Sequence, residues 1–426
     1  MSNMQLCSTG LLAFLVILPH FCWSQYAAPP GDQIWEVEGE IGLVTTMLQD
    51  KGLVDILDES RSRKIIRVGL KNSIDVKFIL LQHKLTYKIL VKDLASYLKE
   101  KDGKTIKTRS ITCTDLSCPQ PLSDAYMTLD QIEWYLKELN ISHSSRVNVT
   151  SIGKSIEGRD IWLVHIRPLK CRVDGAVWIE AGIHAREWIA PAVILQLIPK
   201  LLEDCSRIGY LDIFIVPMAN PDGYLYSWTT NRLWRKNRRI NNNTSQVGCD
   251  GVDLNRNWDY KFGLFASSNP CSETFHGASG FSEPETKALS DAMIAVSRDY
   301  NLLMVMAFHS YGQFILHPWG WSTEEAPDTP MMISRATLWA NATKKRYGTV
   351  YKVTSTTVGL YAASGATDDW AKAVLQVKYS YTVELRDEGT EGFVLSPNQI
   401  VPSSEEVWDG MKILLTAVGP GDYIYL

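Results

Sequence analysis

Residues 176–204, AVWIEAGIHAREWIAPAVILQLIPKLLED, decide the fold. Ala176 to Gly182 is an apolar run of strand length, and EWIAPAVILQLIPKLLED reads as a helix with Pro191 near its start, where a missing N–H is tolerated. A buried strand that passes through a short loop into a helix is a building unit of an α/β sheet. The alternation continues outward from this stretch. LDIFIVPMANPDGY (residues 211–224) gives a strand ending in a Pro-Asp-Gly turn, LLMVMAF (Leu302 to Phe308) gives another, and KYSYTVEL (Lys378 to Leu385) a fourth. From about Ile111 onward the chain therefore predicts one large α/β domain, without internal repeats.

Upstream, IIRVGL, DVKFILLQHKL, YKILV and KDLASYLKE predict a small mixture of strands and helices, with one helix face packed on a sheet. KEKDGKTIKTRS (Lys99 to Ser110) is charged and lacks an apolar period, so it marks the domain boundary. Its Lys107 and Arg109 form an expected processing site for a trypsin-like protease, since exposed linkers are where chains are cut. The expected division is a signal segment at 1–24, a small α+β unit with its linker at 25–109, and the large domain at 110–426.

The whole chain has 426 residues, 45% of them hydrophobic and 21% charged, which fits one large domain plus a smaller one and excludes a disordered or fibrous protein. Its formal charge of -4 leaves no global basic field, so neither nucleic acid nor an anionic membrane is an expected partner. The apolar run Leu11 to Trp23 is short, close to the N-terminus and followed by the small Ser24, the pattern of a secretory signal. Six of the eight cysteines lie beyond it (Cys113, Cys118, Cys171, Cys205, Cys249 and Cys271), an even number suited to disulfides in an exported chain. Acceptor sequons at Asn140, Asn148, Asn242, Asn243 and Asn341 agree with export, and the ending GPGDYIYL has no hydrophobic tail for a lipid anchor.

Candidate chemistry gathers at the predicted strand ends. His184 and Glu187 form H-x-x-E just past AVWIEAG, His309 follows LLMVMAF, and Glu384 ends KYSYTV. Open α/β sheets place ligands beyond the carboxyl ends of their strands. His184, Glu187 and His309 supply the two imidazoles and one carboxylate of a catalytic zinc site with a position left for water, provided that their strands are neighbours. Arg186, Arg232, Arg235, Asn255 and Arg256 add donors suited to a carboxylate or a polarised carbonyl oxygen.

Taken in order, NPDGY, NRLWRKNR, GVDLNRNWD, PCSETFHG, HSYGQ, YAASG, ELRD and GF resemble the pancreatic-type A/B metallocarboxypeptidases from about Tyr126 to Trp408. The segment before the linker resembles, more loosely, that family's inhibitory propeptide. The resemblance implies a mixed, mostly parallel twisted sheet flanked by helices, preceded by an α+β prodomain that inhibits the enzyme until it is cut away. It implies zinc on His184, Glu187 and His309, Glu384 as general base and acid, and Arg235 as the group that polarises the scissile carbonyl. It assigns the terminal carboxylate to Asn255, Arg256 and Tyr361, further cleft contacts to Arg186, Arg232 and Phe393, and the orientation of a ligand imidazole to Asp253. Cys249 and Cys271 match the family's common disulfide.

Asp368, the first Asp of DDW, matches the pocket-floor position that is acidic in members removing Lys or Arg. The resemblance is thus closest to carboxypeptidase B: a secreted zymogen that removes C-terminal Lys or Arg from peptides and proteins. A broader or hydrophobic preference on the same fold is the nearest alternative, and a noncatalytic binding protein a more distant one. Glu391 stands where an aromatic residue often precedes GF, and Ala366 and Thr367 are larger than the usual Gly-Ser, so the rim and pocket are expected to differ.

Overall fold

The computed structural model describes residues 28, 31–39, 42–59, 63–102, 120–169, 174–204, 207–241 and 249–416. The signal segment, the basic pair Lys107 and Arg109, Cys113, Cys118, Cys171, Cys205, Asn242, Asn243 and the C-terminal tail lie outside these residues. Among the described residues no helix is long and apolar enough to cross a membrane.

The N-terminal unit is a four-stranded antiparallel sheet of β1 (Gln33–Glu38), β2 (Val54–Glu59), β3 (Arg63–Val68) and β4 (Thr86–Val91), in the order β2-β3-β1-β4. Strand alternation gives it two apolar faces. Trp35 and Val37 of β1 pack with Val44, Leu48, Val76 and Leu80 from the helices Gly42–Asp50 and Ser73–Gln82. Ile34, just before Trp35, points the other way and joins Leu57, Ile65, Leu94 and Leu98 against Leu233 and Phe393 of the large unit. The small sheet is therefore closed on one side by two of its own helices and on the other by the helix Leu94–Asp102 together with the larger domain. The charged stretch expected to be linker from Lys99 onward is helical as far as Asp102, because Leu94 and Leu98 anchor one face of the helix Leu94–Asp102.

The large unit is an eight-stranded mixed sheet. Its strands are β5 (Val147–Lys154), β6 (Asp160–Ile166), β7 (Gly175–Ala181), β8 (Leu211–Val216), β9 (Leu302–Ser310), β10 (Phe314–His317), β11 (Lys352–Ser355) and β12 (Tyr379–Leu385). They lie in the order β11-β10-β12-β9-β7-β8-β6-β5. The central pairs β12–β9, β9–β7 and β7–β8 are parallel, and antiparallel pairing enters toward the edges at β10–β12, β8–β6 and β6–β5. Every residue of β7 and β8 is buried, as two-sided coverage of parallel strands requires. Val177 and Ile179 face the helices Ile189–Glu203, Thr329–Tyr347 and Ile400–Thr416 in one core; Ala176 and Trp178 face Pro284–Tyr300 and Thr367–Val374 in the other.

The Pro-Asp-Gly segment departs from the sequence expectation, since Pro221–Thr229 is a helix rather than a turn. Pro221 sits in its first turn and the Asn220 side chain accepts from Gly223 N–H at 2.9 Å, so Asn-Pro starts the helix that Pro-Asp-Gly alone would not suggest. Asn220 also donates to the carbonyls of Ile183 and Lys236, tying this helix start to the two loops that carry His184 and Arg235.

Candidate active site

The register of the parallel strands does what spacing could not show. Ala181 of β7 lies beside Phe308 of β9, and His309 of β9 beside Glu384 of β12. The carboxyl ends of these parallel strands thus present the loop after β7, His309 and Glu384 together, where an open α/β sheet binds its ligands. Gly182 begins that loop at φ +71°, and a Cβ there would come within 2.9 Å of the Met218 sulfur, so the sharp exit toward His184 is reserved for glycine. Ala185 N–H donates to the Arg235 carbonyl at 3.0 Å, joining the two halves of the site through the backbone.

His184, Glu187 and His309 are buried, and one donor atom from each lies within 4.8 Å of the others. Nδ1 of His184 is 2.8 Å from Glu187 Oε1, while Nδ1 of His309 is 3.0 Å from Glu187 Oε2 and 3.1 Å from Nδ1 of His184. With both imidazoles neutral and both Nδ1 lone pairs turned inward, the three side chains present a ligand set for one cation. Tetrahedral zinc with bonds near 2.0–2.1 Å separates its ligand atoms by about 3.3 Å, so the three side chains fit that ion. The second nitrogen of His184 is 3.0 Å from Asp253 Oδ1, which fixes the ring with Nδ1 toward the other ligands.

The electrostatics differ among the three side chains: against burial, the Glu187 carboxylate raises His309. Burial would raise the Glu187 carboxyl, but the two neighbouring imidazoles pull it well below its ordinary value. Burial and the nearby Arg235 guanidinium lower His184, keeping the imidazole neutral. Asp253 is held anionic against burial by Arg235, His184 and Arg256. Arg235 gives Nε and Nη2 to Asp253 Oδ2 at 3.1 and 2.8 Å, which orients the guanidinium, and its Nη1 lies 3.8 Å from Glu187.

Beyond these ligands the same cavity is lined by Asn255, Arg256, Tyr361, Asp368, Glu384, Arg186 and Phe393. Arg256 is 4% exposed; its guanidinium donates to the Asn255 carbonyl at 2.7 Å and the Tyr361 hydroxyl at 3.0 Å and has no carboxylate partner among the described residues. Asn255 accepts from Thr367 N–H through Oδ1, which leaves its amide N–H groups as the donor end. Asp368 is 2% exposed and forms no salt bridge with a Lys or Arg among the described residues; its carboxylate takes hydrogen bonds from the backbone N–H of Asp369 and its own N–H, from the Thr382 side chain and, at a long 3.4 Å, from Thr356. Burial accordingly raises its pKa. Asp369 is buried too, but both its oxygens accept from Gly320 N–H at 3.0 Å, a loop-holding task away from the cavity.

Arg186 donates to Glu273 at 3.2 Å and stacks on the Phe393 ring at 4.3 Å. Arg232 stands apart from the other expected contacts. It does not line the central cavity; its guanidinium donates to the carbonyls of Arg186 and Phe393 and stacks on Trp188 at 3.6 Å, holding the rim in place. Sequence reading missed Glu273, although it lies inside PCSETFHG, and Tyr311, inside HSYGQ; both line the cavity. It had no signal at all for Gln49, Ile56 and Leu57, which reach the same cavity from the N-terminal unit. Cys249 and Cys271 form a disulfide bracketing the segment that carries Asp253, Asn255 and Arg256.

Comparison with known proteins agrees with this geometry. The zinc carboxypeptidase family model matches residues 132–410. Carboxypeptidase A1 of Bos taurus is 36% identical over 363 residues, covering 82% of this chain and 83% of the relative. Carboxypeptidase B of Astacus astacus is 36% identical over 303 residues, covering 69% of this chain and 97% of its own length. The crystal structure of carboxypeptidase A from Helicoverpa armigera superposes with a TM-score of 0.82 at 26% identity, over 91% of this chain and 98% of that one. A family match across most of the chain, on a fold that assembles two imidazoles and a carboxylate at the expected sheet edge, shows that the chain belongs to the zinc carboxypeptidase family and is a zinc metallocarboxypeptidase.

Proposed function

We propose that the chain is a secreted zymogen whose large domain, once the N-terminal unit is cut away in the linker, hydrolyses Lys or Arg from the C-termini of peptides and proteins. One observation carries the specificity: the cavity holds a buried guanidinium, Arg256, and a buried carboxylate, Asp368, neither of which forms a salt bridge among the described residues. Unpaired buried charges are costly, and a residue bearing both a free carboxylate and a cationic side chain satisfies the two at once. An internal peptide bond leaves Arg256 unpaired, and an apolar last residue leaves Asp368 unpaired. The apolar walls at Leu316, Leu360, Ala363 and Ala366 suit the aliphatic stem of Lys or Arg.

In this reading Asn255, Arg256 and Tyr361 hold the terminal carboxylate, and Arg235, oriented by Asp253, donates to the oxygen of the scissile carbonyl. His184, Glu187 and His309 would hold zinc, which when bound would supply Lewis acidity and acidify water at the site. Glu384, beside His309 in register, takes the proton of the attacking water and returns it to the leaving amine. Inhibition by the N-terminal unit is supported by Gln49, Ile56 and Leu57 at the cavity and by the packing of Leu57 in the cluster containing Phe393. Export is supported by the apolar run Leu11 to Trp23 and by the Cys249–Cys271 disulfide.

The test is trypsin treatment of the precursor, N-terminal sequencing, and release rates for C-terminal Arg, Lys, Phe and Leu from matched peptides, with and without a chelator. The expected result is a cut near Arg109, new chelator-sensitive activity, and release of Arg and Lys far ahead of Phe and Leu. Faster release of Phe would assign the pocket to apolar residues and remove the role given to Asp368.

A further inference from the structure

Glu391 precedes the turn Gly392–Val394 that carries Phe393 into the cleft. Its position is fixed from two sides: its N–H donates to Asp387 Oδ2 at 2.7 Å, and its Oε2 accepts from Ser396 N–H at 2.9 Å. The remaining oxygen, Oε1, receives the ammonium of Lys101, from the last turn of the helix Leu94–Asp102 in the N-terminal unit. The pair is partly open to solvent, with side chains 33% and 23% exposed, and it borders a groove shared with Tyr126, Trp188, Arg232 and Ser396.

Arg186, Tyr311 and Phe393 line the cleft on the side that leads to Glu391, a route open to a peptide whose last residue is held by Arg256 and Asp368. That side is where the N-terminal unit packs, and removing the unit takes Lys101 away from a carboxylate that is already positioned. We propose that Glu391 is a subsite for a basic side chain one to four residues upstream of the scissile bond, and that Lys101 occupies it in the uncut chain. This rests on the function proposed above and extends it from the last residue of the substrate to the residues before it.

The experiment uses the full chain cut by trypsin, with the trypsin then removed. Peptides ending in Arg carry a single Lys walked through the four upstream positions of a neutral sequence, and each is compared with norleucine at the same position. The kcat/KM ratio of Lys to norleucine is read for the native sequence, Glu391→Gln and Glu391→Lys. A partly exposed ion pair predicts a ratio of about three- to fivefold at one position, collapsing toward one in Glu391→Gln and inverting in Glu391→Lys. Ratios near one at all four positions of the native sequence would overturn the subsite and leave Glu391 as a contact for the N-terminal unit alone. If norleucine peptides are also left uncut, the proposed function itself fails and the subsite falls with it, an outcome distinct from hydrolysis without preference.

Discussion

The two ends of the cavity handle charge in opposite ways. At the sheet edge every ionic group has a partner: His184 touches Glu187 and Asp253, Asp253 holds Arg235, and Glu187 faces His309. At the far end Arg256 and Asp368 are equally buried and neither forms an ion pair among the described residues. A saturated network fixes geometry, because any displaced member leaves a buried charge unpaired. An unsaturated pair stores that cost until a substrate of the right charge pattern arrives, so the first end sets what reaction is done and the second sets on what.

The sharpest way to break the comparison is Asp368→Ile. Truncating one partner of a buried ion pair costs about 3–5 kcal/mol, so kcat/KM for C-terminal Arg should fall roughly a hundred- to several-thousandfold and apolar ends should gain, with zinc content unchanged. Retained Arg preference would show that the far end does not select through this carboxylate. The paired end should respond differently: Asp253→Asn weakens the hold on both His184 and Arg235, and zinc affinity measured by chelator competition should drop about 10- to 100-fold, without a change in the Arg-to-Phe ratio. A shifted ratio with normal zinc binding would merge the two ends into one unit.

The smallest effect is a pH dependence. Burial raises the Asp368 pKa, so on acidification this carboxyl becomes neutral before an ordinary one does. Its pull on a cationic side chain is present above that raised value and lost as pH falls through it. The ratio of Arg to Phe release should therefore decline several-fold toward acid, and Asp368→Asn should abolish the trend. A ratio that rises on acidification would contradict the sign of this argument.

Much of the site was legible before folding because its members sit at ends of apolar runs. His184, Glu187, His309 and Glu384 each follow a strand-like stretch, and such ends converge in a parallel sheet. Arg232 was legible as a cation but not in its orientation, since the same motif NRLWRKNR aims Arg235 at the site and Arg232 at backbone carbonyls. The helical end of the expected linker was hidden by its charge, which says nothing of Leu94 and Leu98 anchoring the turns before it. Gln49, Ile56 and Leu57 carry no motif, and only the docking of one sheet face brings them to the cavity.

The sequence by itself determined the kinds of groups available and the order of strands and helices that bear them, because side-chain chemistry and apolar periodicity are local properties. The tertiary structure alone decided that β9 lies between β7 and β12, which brings residues 184, 309 and 384 to one edge. It alone decided as well that Arg256 and Asp368 share a cavity without touching. Charge pairing and desolvation depend on distances between segments far apart along the chain, and those distances exist only after the sheet has closed around them.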